Sequence, residues 1–199
     1  CAVERIYVER PIYDRFVEAF VEKTRAYRLG DPLDAATSIG PLAAKGQPAF
    51  LAGQVADAVA RGGRLVVDPA SFDTPKQGWF YAPAVVADAP QDSALMAEES
   101  FGPVIGILPV SGDEEAIRLM NDSAYGLTAS IWTSDPERAA RVGARVETGT
   151  FFMNRCDFLD PALPWTGVKD TGRGATLSRY GLLQLTQLKS MHLRVELPK

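Results

Sequence analysis

Two adjacent carboxylates, Glu98 and Glu99, stand just ahead of an aromatic residue, a Gly-Pro bend and an apolar run, in the stretch EESFGPVIGILPV. Paired carboxylates can serve as acid and base on a glycosidic bond, but neighbours on an extended chain diverge and rarely face one sugar together. The spacing suits another chemistry better. Gly102-Pro103 fixes a bend at the mouth of a strand, and a carboxylate held there can accept hydrogen bonds from a pair of ligand hydroxyls, such as those of a ribose. Phe101, two residues beyond Glu99, points to the same side and can pack on a flat ring. The plainer reading is that both acids are surface or capping carboxylates on a loop. The residues alone leave the two readings open.

Other chemistries find little support. TGRGATL (Thr171–Leu177) fits neither the dinucleotide fingerprint nor a Walker loop and reads as a turn feeding a helix. No Gly-x-Ser-x-Gly elbow is present, and a single histidine, His192, argues against a serine triad. His192 lies in an alternating run and reads as an ordinary strand histidine. The two cysteines, Cys1 and Cys156, form no metal-ligand spacing, so no metal is expected, and so few cysteines suit a reducing compartment, the cytoplasm. A net charge of −4 with no basic stripe points away from nucleic acid. No apolar run approaches the roughly 18 residues of a membrane span, and the N-terminus is charged from its fourth residue, unlike a signal peptide. The chain begins at Cys1 rather than Met and reads as cut from something longer, or processed.

The elements that must position the candidate residues emerge from periodicity. VERIYV (Val3–Val8) alternates as a half-buried strand does. Pro11 opens a helix with Ile12, Phe16, Phe20 and Val21 near one face, and residues 30–41 are loop. A second helix is expected over 47–61, with Phe50, Leu51, Val55 and Val59 as its stripe and Gly62-Gly63 as its stop. RLVVD is a strand, WFYAPAVVAD is extended, and VIGILPV is a strand buried on both faces. Ser111 and Glu114 form a capping box ahead of EEAIRLMN. GLTASIWT is a strand, Asp135 caps a helix that has Pro136 at its first position, and GTFFMN is a strand. A loop over 155–174, a short helix over 177–185 and a final alternating strand, MHLRVEL, complete the chain. This cadence predicts an α/β fold, a mainly parallel sheet with crossover helices. Residues 1–187 are read as one domain, and 188–199 as a C-terminal strand. Ligands of such sheets sit at the carboxyl ends of strands.

EESFGPVIGILPV resembles the Glu-Glu-x-Phe-Gly-Pro-Val segment of the aldehyde dehydrogenase superfamily. CAVERIYV resembles the segment just past that family's catalytic cysteine in the pattern G-Q-x-C-x-A-x-x-R, with Ala2 and Arg5 on its last two fixed positions. DPLDAATSIGPL, NDSAYGLTASIWT, GTFFMN and GVKDTGRG are similar to further family segments in the same order, so the likeness covers essentially the whole chain.

The resemblance implies an NAD-dependent (alternatively NADP-dependent) oxidation of an aldehyde to an acid. It proceeds through a cysteine thiohemiacetal and a thioester. Ala2 stands one place after Cys1, so the pattern puts the nucleophilic cysteine directly before Cys1. The competing alignment makes Cys1 itself the nucleophile. The general base, the oxyanion Asn and most of the dinucleotide domain would also lie upstream, so this chain alone is expected to be inactive. Within it, Glu99 would bind the nicotinamide ribose and Phe101 would pack beside the nicotinamide, with Glu98 a structural neighbour and Asn154 a brace. Gln47 matches a Gln that can lie near the ribose, whereas Phe50 stands where many members carry a basic side chain. Phe158 and Trp165 would line the aldehyde tunnel, loop packing being the alternative. Their rings suit an apolar or flat aldehyde, while Asp157 and Asp160 favour an amine-bearing one. The last strand resembles one that joins an oligomerisation element, which implies a homodimer or homotetramer. A non-catalytic member of the fold, used as an assembly or binding module, is the competing function.

Overall fold

The computed structural model describes residues 3–156 and 158–195. They fall into two compact units, one ending at Ser123 and the other beginning at Ala124. This division lies inside the span read as one domain.

The first unit opens with β1 (Arg5–Glu9), a 3₁₀ turn at Arg10–Ile12 that Pro11 favours, and α1 (Tyr13–Arg25). Then come α2 (Gln47–Ala60), β2 (Arg64–Val67), β3 (Ala84–Ala87), the single turn α3 (Ala94–Ala97), β4 (Val104–Val110) and α4 (Asp113–Asn121). The sheet order is β1-β4-β3-β2. β4 runs parallel to both β1 and β3, and β2 pairs antiparallel at the edge. The central strands are apolar on both faces because both are covered. Val85, Ala87, Ile105 and Ile107 pack with Tyr13 and Val17 of α1 in one cluster. Ala84, Val86 and Val104 pack with Leu51, Val55 and Ala58 of α2 and with Leu95 and Met96 of α3 in the other. Gly106 lets α3 lie directly on the sheet, since a Cβ there would stand 2.4 Å from Met96 Sδ.

The second unit contains β5 (Tyr125–Gly126), β6 (Thr128–Ile131), α5 (Pro136–Gly143), β7 (Thr150–Met153), β8 (Val168–Lys169) and α6 (Ser178–Gln184). β6 and β7 are parallel, joined through α5, and β5 pairs antiparallel with β8. The Asp135 carboxylate caps α5, accepting the Arg138 N–H at 2.9 Å. At Gly149 a Cβ would fall 1.6 Å from the Thr166 carbonyl oxygen, so β7 can begin there only with glycine.

Several expectations need correction. Phe50 and Val59 are exposed, and the buried face of α2 is Leu51, Gln54, Val55 and Ala58. The carboxylate that closes back on the Ser111 N–H, at 2.7 Å, belongs to Glu115 rather than Glu114, and Gly112 occupies the N-cap. The strand expected through GLTASIWT is split at Leu127 into two pieces with different partners. The stretch over 79–88 keeps only Ala84–Ala87 as strand. Residues 188–195, including His192, carry no strand and are exposed, with no ladder partner among the described residues. Residues 196–199 lie outside the described residues.

Two consequences are measurable. Leu51 is fully buried where α2 meets the sheet, so Leu51→Ala should cost about 2–5 kcal/mol in urea unfolding. A loss under about 1 kcal/mol would show that the contact collapses without penalty. The buried Tyr13 hydroxyl donates to the Ile107 carbonyl at 3.3 Å and accepts the Asp88 N–H at 2.8 Å. Burial pushes its phenol up to about 12. In the unfolded chain it ionises near pH 10, so its stabilising contribution is whole below about pH 10 and is lost as pH rises toward about 12. Tyr13→Phe should flatten that part of the stability–pH curve, and an unchanged slope would contradict the assignment.

Candidate functional site

The acidic loop 98–103 connects α3 to β4, at the strand's entry, and it is held on every side. Asp57 on α2 binds Arg61 at 2.8 Å and accepts the Ala94 N–H at 2.8 Å, docking the start of α3. These two contacts, the Arg61 bond first, draw the Asp57 carboxyl below its ordinary range. At the far end of the segment, Gln47 Nε2 donates to the Ser100 carbonyl at 2.5 Å. Ser100 is buried and outside any strand, so its backbone groups must find side-chain partners. The Glu4 carboxylate supplies the other one, accepting the Ser100 N–H at 3.1 Å and the Phe101 N–H at 3.4 Å. Gly102 is pressed on Leu51, with only 2.3 Å between an added Cβ and Leu51 Cδ1. Val104 N then bonds Gly102 O at 2.8 Å, and Ala84 N bonds Pro103 O at 2.9 Å, feeding the loop into the sheet.

The clamp leaves two acids and an aromatic ring outside. Glu98 and Glu99 are exposed, and among the described residues neither carboxylate has a hydrogen-bond or ion-pair partner. Phe101 is 70% exposed with φ at +47°. Left-handed backbone is rare for a bulky residue and collects at functional sites. An ionised carboxylate is an acceptor only, and an uncommitted one beside an exposed ring matches the donor set of a ribose joined to a flat heterocycle. Gln47 is committed to the loop backbone, and Phe50 is exposed on α2. Cys1 lies outside the described residues.

In the second unit, Asn154 adopts φ +56° just past β7, and its amide brackets Thr133, accepting its N–H and donating to its carbonyl, each at 2.9 Å. This extends the β6–β7 ladder by one imitation rung. Beyond it the Arg155 guanidinium lies 3.8 Å from the Phe158 ring centroid, a contact worth about 0.5–1 kcal/mol at an exposed site. Trp165 and Thr176 exchange backbone bonds at 2.8 and 2.9 Å, closing the Gly-rich turn. Phe158 and Trp165 come together as walls of a shallow, open pocket of about 20 Å³, shared with Thr150, Phe152, Asp160 and Leu163. That encloses little more than a water molecule, so the two rings form an open wall rather than a closed site. Asp160 Oδ1 is engaged by the Ala162 N–H at 2.9 Å, and Asp157 lies outside the described residues.

Sequence reasoning missed Glu4, whose only signal is a charge at the start of an alternating strand. It also missed Phe152 and Leu163 as pocket walls. No cluster of metal-ligating side chains and no helix long and apolar enough to cross a membrane occurs among the described residues.

A profile described as the aldehyde dehydrogenase family matches residues 1–191. The chain is similar to the succinate-semialdehyde dehydrogenase (NADP+) of Mycobacterium avium, at 39% identity over 190 residues, 96% of this chain and 40% of that protein. It is 37% identical over 191 residues to an aldehyde dehydrogenase of Paenarthrobacter nicotinovorans, covering 96% of this chain and 41% of the relative. Among solved structures, the NAD+ complex of a Bacillus cereus aldehyde dehydrogenase matches with a TM-score of 0.90 at 30% identity, over 97% of this chain and 39% of that one. The betaine aldehyde dehydrogenase of Staphylococcus aureus in complex with NAD+ gives 0.83 at 30% identity, over 91% and 36%. The chain thus spans about two fifths of the length of the curated relatives it matches.

The backbone at Phe101 yields a direct test. A bulky residue in the left-handed region costs about 1–3 kcal/mol, and glycine removes that cost at about 0.5–1 kcal/mol of chain entropy. Because the ring is largely exposed, Phe101→Gly should raise the unfolding free energy by about 1 kcal/mol. A loss of stability would show that the ring is needed for the fold itself.

Proposed function

The chain belongs to the aldehyde dehydrogenase family, and on that footing we propose that it is part of an NAD(P)-dependent aldehyde dehydrogenase. In this reading it supplies the wall that holds the nicotinamide end of the cofactor and a pocket for the aldehyde. The observation that carries the reading is the clamped loop 98–103, which spends Ser100 on the core and leaves Glu99 and Phe101 outside. Glu99 accepts the two ribose hydroxyls, and Phe101 packs beside the ring. The relatives support both cofactors, NADP+ for the Mycobacterium avium protein and NAD+ for the two solved complexes. When bound, the nicotinamide would supply the hydride acceptor for the oxidation.

The covalent part of the reaction needs a thiolate. It adds to the aldehyde carbon to give a thiohemiacetal, and after hydride loss it is held as a thioester until water releases the acid. By the family pattern that thiol belongs to the residue directly before Cys1. Phe158 and Trp165 offer aromatic walls; among the described residues the ionisable side chain lining their pocket is Asp160, and the Arg155 guanidinium lies on the Phe158 ring. The aromatic lining favours an apolar or flat aldehyde, with an amine-bearing one favoured by Asp160 as the alternative. Leu188, Met191, Leu193 and Val195 are exposed in succession, which supports pairing of the C-terminal segment with a second copy.

Binding of NADH to the protein as isolated from its source, followed by fluorescence, tests the reading. Hydrogen bonds to a charged acceptor are worth about 1.5–3 kcal/mol, so Glu99→Ala should weaken binding at least about tenfold while leaving the unfolding midpoint in place. An unchanged Kd would contradict the assignment of Glu99.

A further inference from the structure

We propose that Glu4 is a positioning residue for the cofactor loop, setting the direction of Glu99 and Phe101 without touching the cofactor itself. The inference rests on the reading of that loop as the ribose and nicotinamide platform. Glu4 is half-buried at the lip of β1, four residues beyond the position the family pattern reserves for the nucleophile. Its two carboxylate oxygens are divided between two successive amides, Oε2 on the Ser100 N–H at 3.1 Å and Oε1 on the Phe101 N–H at 3.4 Å. Bonds to an ionised acceptor are stronger than neutral ones. These are also bonds that no strand can replace, because β4 begins only at Val104.

The geometry explains why a carboxylate is needed. Phe101 turns left-handed at φ +47°, which no regular ladder sustains, and the turn aims its ring outward. One carboxylate oxygen on each amide holds both peptide planes at once. Gln47 fixes the Ser100 carbonyl from α2, and Leu51 blocks movement of Gly102. With Glu4 gone, Gln47 and Leu51 still hold the loop against the core, so the fold survives. The Phe101 peptide plane becomes free to turn, and with it the ring and the preceding acid. The strand just past the nucleophile and the loop that carries the cofactor contacts are thereby tied through one side chain.

The test uses Glu4→Ala and Glu4→Gln in the protein as its source produces it. Glu4→Ala should raise the Kd for NADH about tenfold, as expected when misplacement of a binding group weakens a contact, while the aldehyde KM stays within about twofold. Glu4→Gln keeps one acceptor oxygen and should fall between the alanine variant and wild type. Hydrogen exchange of a peptide spanning residues 98–103, read without cofactor by mass spectrometry, should quicken in Glu4→Ala and leave the β3 and β4 peptides unchanged. Unchanged exchange in that peptide, or an NADH Kd within twofold of wild type in both variants, overturns the inference. Wild-type protein that binds no dinucleotide overturns the functional reading, and the inference with it, whereas wild-type binding that survives Glu4→Ala overturns the inference alone.

Discussion

The burial of the Ser100 backbone outside any strand is the constraint on which the first unit turns. A peptide group that enters the core without a ladder must be satisfied by side chains, or its desolvation cost of about 1–3 kcal/mol goes uncompensated. Glu4 and Gln47 meet that need from opposite directions, one beside the sheet's β1 edge and one from the first turn of α2. Both can reach only because β1 lies next to β4 and α2 lies over the sheet. The sheet order and the local hydrogen bonds therefore require one another.

The same arrangement decides what stays exposed. Leu51 stands where a Cβ at Gly102 would lie and Met96 where one at Gly106 would lie, so the two glycines let α2 and α3 pack closely on β4 as these side chains are placed. Asp57 then ties α3 to α2. With Ser100 turned inward and its neighbours alternating outward, Glu99 and Phe101 are presented as a pair. Their exposure results from the packing beneath them. In the second unit the equivalent device is Asn154, whose side chain imitates a strand partner for Thr133 and so sets where the loop bearing Phe158 departs.

Much of this was legible in the chain because its signals are local. The alternation read over VERIYV, the doubly apolar run of β4 and the Asp135-Pro136 cap each depend on residues a few places apart; β4 and the cap appear where expected, and β1 overlaps its expected stretch but is shifted to Arg5–Glu9. The placing of Glu99 and Phe101 on a loop ahead of β4 was legible for the same reason. What was hidden depends on partners far away in sequence. Gln54 rather than Phe50 or Val59 faces inward because the direction of α2 is set by the sheet beneath it. β8 is two residues long and exists only through β5. Glu4 bonds residues almost a hundred places on, and nothing near it in the chain announces that.

Family membership and the clamped loop support the proposal that the chain holds a cofactor sugar on Glu99, with Phe158 and Trp165 as the proposed substrate wall. The most direct measurement is a crystal structure of the protein isolated from its source with NADH bound. The ribose hydroxyls of the nicotinamide half should lie on the Glu99 carboxylate, the ring should lie beside Phe101, and Glu4 should still hold the Ser100 and Phe101 amides. A dinucleotide seated elsewhere, with Glu99 left in solvent, would contradict the account.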